Sequence, residues 1–204
     1  KRGILVFGPT QAAARIESSK VFAKDLFARY HIPTAAYGSF TDADKAIAFL
    51  DEMQAPYVIK ADGLAAGKGV VIAETYEDAV EAIHSMLTGD AFGSAGEKII
   101  IEEFMVGEEA SLLAFVDGET VIPMIPAQDH KRLLTDDRGP NTGGMGAFAP
   151  AAVVTDAVYE AAVEQILKPT AAALVAEGSP FRGVLYAGLM ITADGPKVCL
   201  LYTS

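Results

Sequence analysis

Two Asp-Gly pairs, each set between apolar runs, constrain the fold of this 204-residue chain more than any other feature. The first pair is Asp117-Gly118 and the second is Asp194-Gly195. Because Asp-Gly fits the tight turn that joins two antiparallel strands, each pair predicts a β-hairpin. The chain must therefore build at least part of its sheet from antiparallel neighbours.

Helical and extended patterns alternate along the rest of the chain. Apolar spacing predicts helices over residues 10–30, 41–53, 75–87 and 155–176. Short apolar runs predict strands over residues 4–7, 57–59, 70–73 and 98–102. Because helices and hairpins are interleaved and no internal repeat is present, the sequence indicates an α+β or mixed α/β fold.

Charge and composition narrow the range of partners. The net charge of -11 repels nucleic acid and anionic membranes, but a small anionic ligand fits if the few cations are gathered at one site. No apolar stretch approaches the roughly 20 residues of a membrane span, and the single cysteine, Cys199, excludes an intrachain disulfide. The N-terminal apolar run is too short for a secretory signal. We expect a soluble cytoplasmic protein with small-molecule ligands, and a chain whose true beginning is missing.

Residues 60–69 place glycines and lysines between two predicted strands. Gly63, Gly67 and Gly69 let the backbone turn its N–H groups toward phosphate oxygens, and Lys60 and Lys68 supply positive charge. Three residues rather than four separate the first two glycines, and no Ser or Thr follows Lys68, so this is not a Walker A loop. The segment is predicted to be a hairpin lid over a triphosphate or, alternatively, an ordinary flexible hairpin.

Residues 101–109 hold four carboxylates around an apolar pair, Phe104-Met105. Apolar walls and backbone groups suit adenine, and a carboxylate suits the hydroxyls of ribose. A solvated acidic turn is the other interpretation, and this segment taken alone favours it.

Two polar segments follow the first hairpin. Residues 128–132 set His130, Lys131 and Arg132 beside Asp129, which predicts an anion clamp or, equally, a basic surface loop. His130 has the chemistry of a general base, although a lone His in a polar loop is more often merely exposed. Residues 139–146 hold four glycines, which predicts close approach of the backbone to a ligand, and their apolar neighbours favour a packed loop over a floppy one.

In this order the segments resemble the phosphoribosylamine–glycine ligase (glycinamide ribonucleotide synthetase) family of the ATP-grasp superfamily. The resemblance extends from about Gly3 to Val198 and is carried by residues 19–24, 32–35, 58–69, 101–109, 127–132, 139–147, 185–190 and 195–198. The order of lysine, glycine loop and acidic segment is shared by all ATP-grasp ligases. The runs Asp-His-Lys-Arg and Asn-Thr-Gly-Gly-Met-Gly are what indicate this family among them.

The resemblance implies an α+β ATP-grasp fold, in which a small mobile lid subdomain closes onto a larger subdomain with a mixed, largely antiparallel sheet. It assigns residues 1–34 to a remnant of an N-terminal domain with a connecting helix. It assigns residues 35–103 to the lid and residues 104–198 to an incomplete second subdomain. Residues 199–204 form a tail that does not match the family. The chain is therefore expected to be a fragment that lacks the family's N-terminal domain and C-terminal part.

The resemblance also implies a role for individual residues. The residues expected to bind ATP are Lys20, Lys60, Gly63, Gly67, Lys68, Gly69, Glu102, Glu103, Met105 and Glu109. Lys60 would lie near the phosphates and Glu109 near the ribose hydroxyls, and Glu102, Met105 and the backbone of Glu103 would hold adenine. The residues expected on the substrate side are Asp129, His130, Lys131, Asn141, Thr142, Gly143, Gly144, Met145 and Gly146. Lys60 and Arg132 are the expected catalytic cations.

The family joins glycine to 5-phosphoribosylamine through a glycyl phosphate, and gives glycinamide ribonucleotide, ADP and phosphate in de novo purine biosynthesis. It holds Mg²⁺ or Mn²⁺ through a Glu and an Asn, and Leu200 and Tyr202 stand at those positions here. Neither side chain suits Mg²⁺, so we expect no metal ligands in this chain and no activity from it alone. Two other interpretations stay open, namely another ATP-grasp carboxylate–amine ligase, or a nucleotide-binding chain without catalysis.

Overall fold

The computed structural model describes residues 6–63, 69–88, 97–130, 132–135, 138–142 and 146–203. The chain forms two compact units. The first unit is Arg15–Met105, and the second combines Lys1–Ala14 with Val106–Ser204. The predicted lid, residues 35–103, lies within the first unit together with residues 15–34.

Four antiparallel strands make the described sheet of the first unit. They are β1 (Tyr37–Phe40), β2 (Tyr57–Ala61), β3 (Val70–Ala73) and β4 (Ile99–Glu103), in the spatial order β1-β4-β2-β3. The helices are α1 (Arg15–Ser18), α2 (Lys20–Arg29), α3 (Ala43–Leu50) and α4 (Tyr76–Thr88). Strand β1 was not predicted, because its Tyr-Gly-Ser-Phe sequence has no apolar run or clear alternation.

Helices α3 and α4 cover one face of this sheet. Ile59 of β2 and Ile101 of β4 are direct cross-strand partners on that face, and both are fully buried. Leu50 of α3 and Ile83 of α4 belong to the same apolar cluster. Because side chains alternate along a strand, this packing turns Lys60 and the residues next to Ile101 toward the opposite face.

The predicted helix over residues 10–30 is wrong in two respects, because the structure begins the helix at Arg15 and breaks it at Ser19. Ser19 has extended backbone angles, and its hydroxyl accepts from the N–H of Phe22 at 3.1 Å. The same hydroxyl donates to Asp62 at 3.2 Å. The break therefore satisfies a donor at the start of α2 and fixes that helix end against the strand region.

The described part of the second unit contains eight strands and two α-helices. The strands are β5 (Glu108–Asp117), β6 (Thr120–Pro123), β7 (Gln128–Asp129), β8 (Arg132–Leu134), β9 (Arg138–Asn141), β10 (Ala147–Phe148), β11 (Arg182–Thr192) and β12 (Gly195–Thr203). Strands β12-β11-β5-β6 form an antiparallel sheet in that order. Strands β7 and β10 form a separate antiparallel pair, and so do β8 and β9.

Both hairpins predicted from the Asp-Gly pairs are confirmed. Asp117 pairs with Thr120 at the end of the β5–β6 hairpin, and Thr192 pairs with Gly195 at the end of the β11–β12 hairpin. Gly118 and Gly195 have φ angles of 62° and 110°. Both turns thus need the left-handed backbone that glycine adopts at little cost.

The helix predicted over residues 155–176 is confirmed with an internal irregularity. It runs through α5 (Asp156–Ala162), a π-helical turn (Val163–Leu167) and α6 (Lys168–Ala176). The Thr155 hydroxyl accepts from the N–H of Val158, which caps the start of α5. The helix ends before Gly178, whose φ of 71° takes the chain out of the helical conformation.

The strand predicted over residues 4–7 is wrong where it can be examined. Ile4 and Leu5 lie outside the described residues, while Val6 and Phe7 are in no strand and are 77% and 60% exposed. The ring of Phe7 instead lies 6.3 Å from that of Phe115. An apolar run forms a strand only where a neighbouring strand takes up its backbone hydrogen bonds.

The predicted α+β class is confirmed, with helices on sheets whose described pairings are all antiparallel. None of the described helices has the length and apolar character needed to span a membrane.

Candidate functional site

Two ammonium groups meet one buried carboxylate in the first unit. Lys60 Nζ donates to Glu102 Oε2 at 3.0 Å, and Lys24 Nζ lies 3.1 Å from the same oxygen. The side chains of Lys24 and Glu102 are each 3% exposed, whereas that of Lys60 is 14% exposed. Lys60 is therefore the member of this trio with most of the remaining access to a ligand.

The register of β2 and β4 explains the meeting of Lys60 with Glu102. Val58 lies opposite Glu102 and Lys60 lies opposite Ile100, so Lys60 and Glu102 are diagonal neighbours on one face of the sheet. Lys24 reaches the same oxygen from the second turn of α2.

Lys20 adds a third ammonium group close to this trio. Its Nζ donates to the carbonyl oxygens of Ala61 at 3.0 Å and Gly63 at 2.7 Å. Burial lowers the pKa of Lys20, and the nearby Lys60 lowers it too, while the carboxylates of Asp62 and Glu102 act in the opposite direction. The lowered pKa shows that desolvation outweighs the attraction of the carboxylates, so an anionic ligand would stabilise the charged form of Lys20.

Asp62 connects the end of β2 to the start of α2. Its Oδ1 accepts from the N–H of Val21 at 3.2 Å, and its Oδ2 accepts from the hydroxyl of Ser19 at 3.2 Å. Its own N–H donates to the carbonyl of Lys98 at 2.8 Å. A carboxylate at a helix N-terminus is favourable, and here it fixes the helix turn that carries Lys20.

The described ends of the glycine segment belong to a hairpin. Strands β2 and β3 pair from Tyr57–Ala73 to Lys60–Val70, and the N–H of Ala61 donates to the carbonyl of Gly69 at 2.8 Å. Gly63 has a φ of 103°, which an L side chain rarely adopts. The predicted Gly67 and Lys68 lie outside the described residues.

The acidic segment is divided between the two units. The N–H of Glu103 donates to the carbonyl of Ala36. The N–H of Ala36 in turn donates to the carboxylate of Glu103 at 3.2 Å. If the backbone of Glu103 contacts adenine, its carbonyl oxygen must do so, because its N–H is already engaged. Met105, half-buried, ends the first unit, whereas Glu109 is exposed on β5 of the second unit, opposite Met190.

Part of the predicted substrate side is brought together within the second unit. Asp129 pairs with Ala147 in the β7–β10 ladder, and the N–H of His130 donates to the carbonyl of Gly146 at 2.9 Å. The hydroxyl of Thr142 donates to the carbonyl of His130. His130 itself is exposed, and its ring lies 5.5 Å from that of Phe148.

Other residues of the predicted substrate side are described only in part. Arg132 and Asn141 face each other in the β8–β9 ladder. Lys131, Gly143, Gly144 and Met145 lie outside the described residues.

Leu200 stands where the resemblance implies a magnesium ligand. Among the described residues, no group of three or more His, Cys, Asp or Glu side chains is placed to hold a metal ion. Leu200 lies on β12 opposite Gly188, and a Cβ at Gly188 would be 3.1 Å from the Leu200 side chain. That position therefore presents hydrocarbon to its neighbour, whereas Mg²⁺ requires oxygen ligands.

Sequence reasoning missed Lys24 and gave Asp62 no role. Lys24 follows Lys20 by four residues, a spacing that places both on one face of a helix, and this was the available signal. Asp62 carried no such signal, because its partners on α2 lie more than 40 residues away in sequence.

A family comparison covers most of the chain. Residues 18–202 match the family described as "Phosphoribosylglycinamide synthetase, ATP-grasp (A) domain". The match includes Lys20, Lys60 and Glu102, and it also includes residues 199–202.

Proteins named phosphoribosylamine–glycine ligase are among the relatives of this chain. Those of Vibrio vulnificus (strain YJ016) and Escherichia coli (strain K12) are each 57% identical over 197 residues, which is 96% of this chain. The chain spans 46% of the length of either relative, a little under half. A crystal structure of phosphoribosylamine–glycine ligase from Thermotoga maritima superposes with a TM-score of 0.89 at 36% identity, over 97% of this chain and 50% of that one.

Proposed function

Because the chain belongs to the family of phosphoribosylglycinamide synthetase ATP-grasp domains, we propose that it is the ATP-binding portion of a ligase that joins glycine to 5-phosphoribosylamine. The observation that carries the proposal is the meeting of Lys20, Lys60 and Glu102 at the base of the β2–β3 hairpin. The relatives named phosphoribosylamine–glycine ligase suggest the reaction.

The charges of the cluster support polyphosphate as the ligand. Lys20, Lys24 and Lys60 carry three positive charges, and Glu102 and Asp62 carry two negative ones, which leaves one net positive charge among these five side chains. The whole chain has a net charge of -11. The net positive charge of this cluster is therefore opposite in sign to the net charge of the remaining residues. A partly buried cation binds an anion more strongly than an exposed one, because water screens it less.

The chemistry of phosphoryl transfer fits a site of this kind. ATP supplies the phosphoryl group that activates the carboxylate of glycine, and the protein contributes mainly positioning and positive charge. In this proposal Lys20 and Lys60 orient the phosphates, while Met105 and the carbonyl of Glu103 face adenine. Glu109 accepts from the ribose hydroxyls. Arg132, with Asp129 and His130, positions the glycine and 5-phosphoribosylamine.

The β2–β3 hairpin is proposed to act as the lid. A reactive acyl phosphate must be shielded from water, and a hairpin that closes over the nucleotide would do this. Amide hydrogen exchange of Gly63, Gly69 and β3, measured with and without ATP, tests the role. Protection gained with ATP supports it, and identical exchange in the two conditions contradicts it.

A second function, nucleotide binding without catalysis, applies to this chain on its own. It is favoured by Leu200, whose hydrocarbon side chain stands at the position where the resemblance implies a metal ligand. The cytoplasm, where small-molecule purine precursors are joined, remains the proposed location.

A chimera tests the ligase proposal directly. Residues 18–198 would replace the corresponding segment of the Escherichia coli relative, which keeps that protein's own sequence on both sides. We expect ADP release that requires both glycine and 5-phosphoribosylamine, and a marked loss of it in the matched Lys60→Ala chimera. A folded chimera that is inactive with glycine, or equally active with an unrelated amino acid, would contradict the proposal and favour another carboxylate–amine ligase.

A further inference from the structure

Lys24 is the one lysine of the cluster to which neither the sequence nor the proposed function assigns a part. Its Nζ lies 3.1 Å from Glu102 Oε2, and it donates to Thr34 Oγ1 at 2.8 Å and to the carbonyl of Ala35 at 3.4 Å. An ammonium group has only hydrogen-bond donors, and these three oxygen atoms surround it. With 3% of its side chain exposed, Lys24 is enclosed by protein and is not placed to touch a ligand.

The partner of Lys24 also pairs with the lysine that a ligand can reach. Glu102 Oε2 accepts from Lys60 Nζ at 3.0 Å, so a single carboxylate charge is shared between two ammonium groups. With Lys60 alone, Glu102 would form a neutral ion pair, and an incoming phosphate would have to compete with the carboxylate for Lys60. With Lys24 present, the trio keeps one positive charge, and its exposed end is Lys60.

The surroundings of Lys24 favour this charged state. The ring of Tyr37 lies 5.7 Å from Lys24 Nζ, within range of a favourable cation–π contact. Tyr37 in turn donates its hydroxyl to Asp25 at 2.8 Å. The uncharged partners, Thr34 and Ala35, both present oxygen atoms to the ammonium group.

We propose that Lys24 is a positioning residue which neutralises Glu102 and so leaves the positive charge of Lys60 available to the nucleotide phosphates. The inference rests on the proposed function, since it deepens the description of the same nucleotide site. This role of Lys24 differs from a purely structural one, because the loss of affinity on removing Lys24 should depend on how many phosphates the ligand carries. A charge within about 4–6 Å shifts the protonation equilibrium of a neighbouring group by about ten- to thousand-fold. We expect an effect of this kind on the binding of phosphate.

The test compares the affinities of this chain for ATP and AMP in Mg²⁺-free buffer, by calorimetric titration. Lys24→Met keeps an unbranched side chain of nearly the same length and removes its charge. We expect the ratio of ATP affinity to AMP affinity to fall by about tenfold or more. Lys45→Met is the matched control, because Lys45 is an exposed lysine of the same unit and its loss changes the net charge equally. The control should keep the wild-type ratio.

A double variant separates charge compensation from packing. In Lys24→Met with Glu102→Gln, the carboxylate that needs compensation is gone, so the ATP to AMP ratio should return to about the wild-type value. In Glu102→Gln alone, two lysine charges remain without the carboxylate, and the ratio should rise above the wild-type value. Should Lys24→Met alone fail to fold, as judged by circular dichroism, the comparison of these two variants decides the question.

Each outcome of this series has a definite meaning. A ratio in folded Lys24→Met equal to that of the wild type, or a double variant with the ratio of Glu102→Gln alone, would contradict the role of Lys24. Wild-type protein that binds no ATP at all would instead overturn the proposed nucleotide site itself. The failure of the inference and the failure of the proposed function are therefore distinguishable.

Discussion

Lys20 and Lys24 stand four residues apart on α2 and reach two different parts of the same sheet. Lys20 Nζ donates to the carbonyls of Ala61 and Gly63 at the end of β2, whereas Lys24 Nζ pairs with Glu102 on β4. One helix face thus contacts both the base of the glycine hairpin and the buried carboxylate. The position of α2 sets the position of both ammonium groups.

The buried carboxylate predicts a large effect on stability. Glu102→Gln leaves the enclosed Lys24 without its counter-charge, and breaking such a buried pair costs about 3–5 kcal/mol of unfolding free energy. The matched control is Glu164→Gln, which removes an ion pair to Lys168 whose side chains are 54% and 51% exposed. That change should cost less than about 1 kcal/mol. Urea unfolding of both variants measures the difference, and equal losses would show that Glu102 is not held in a buried pair.

The lowered pKa of Lys20 predicts two effects of pH. In the free protein the folded chain releases this proton more readily than the unfolded chain does. The contribution of Lys20 to stability therefore rises with pH, from its folded pKa up to its ordinary value of 10.5. A bound polyphosphate favours the ammonium form, so ATP binding a little below pH 10.5 should take up protons. Calorimetry in two buffers of different ionisation enthalpy measures this uptake. Wild-type uptake of zero, or equal uptake in Lys20→Arg, would contradict the assignment.

Gly107 predicts a steric effect in the second unit. A Cβ built on Gly107 would lie 2.3 Å from the carbonyl oxygen of Ile191, a backbone atom that cannot move aside alone. Gly107→Ala should therefore destabilise the chain by about 1–3 kcal/mol, the usual range for overpacking. Gly8→Ala is the control, because its Cβ would lie 3.5 Å from Val6, an ordinary contact. Thermal melts that shift equally for the two variants would contradict this packing.

We predict that this chain alone releases no ADP when mixed with ATP, Mg²⁺, glycine and 5-phosphoribosylamine. Bringing a carboxylate to the γ-phosphate is repulsive unless cations bridge the oxygens, and Leu200 stands where the resemblance implies a metal ligand. A coupled assay for ADP measures turnover, with the Escherichia coli relative as the positive control. Turnover near that of the relative would mean that other groups hold the metal.

Local signals predicted much of the fold. Both Asp-Gly hairpins follow from turn chemistry that the chain carries within a few residues. The start of α5 follows from Thr155, whose hydroxyl caps the helix that the apolar spacing indicates. These features depend on near neighbours in sequence, so the sequence alone was enough.

Long-range contacts explain what sequence reasoning missed. The break at Ser19 depends on Asp62, and the burial of Lys24 depends on Glu102 on a distant strand. The short strands β7 and β10 pair across the intervening polar stretch, and their ladder is two residues long. No local sequence pattern predicts such contacts, because each of them forms only when the fold brings segments together that are remote in sequence.

Equilibrium titration of ATP into this chain tests most directly whether Lys60, held beside Glu102, binds the phosphates of ATP. We expect binding at one site and a loss of affinity of about tenfold or more in Lys60→Ala, since a charged hydrogen bond contributes about 1.5–3 kcal/mol. Lys60→Arg should also bind ATP less tightly, because the planar guanidinium group of Arg does not have the shape of the compact ammonium group of Lys. The exposed Lys45→Ala, with the same change of charge, should bind as the wild type does. Equal ATP affinity in the wild type and folded Lys60→Ala would contradict this role of Lys60.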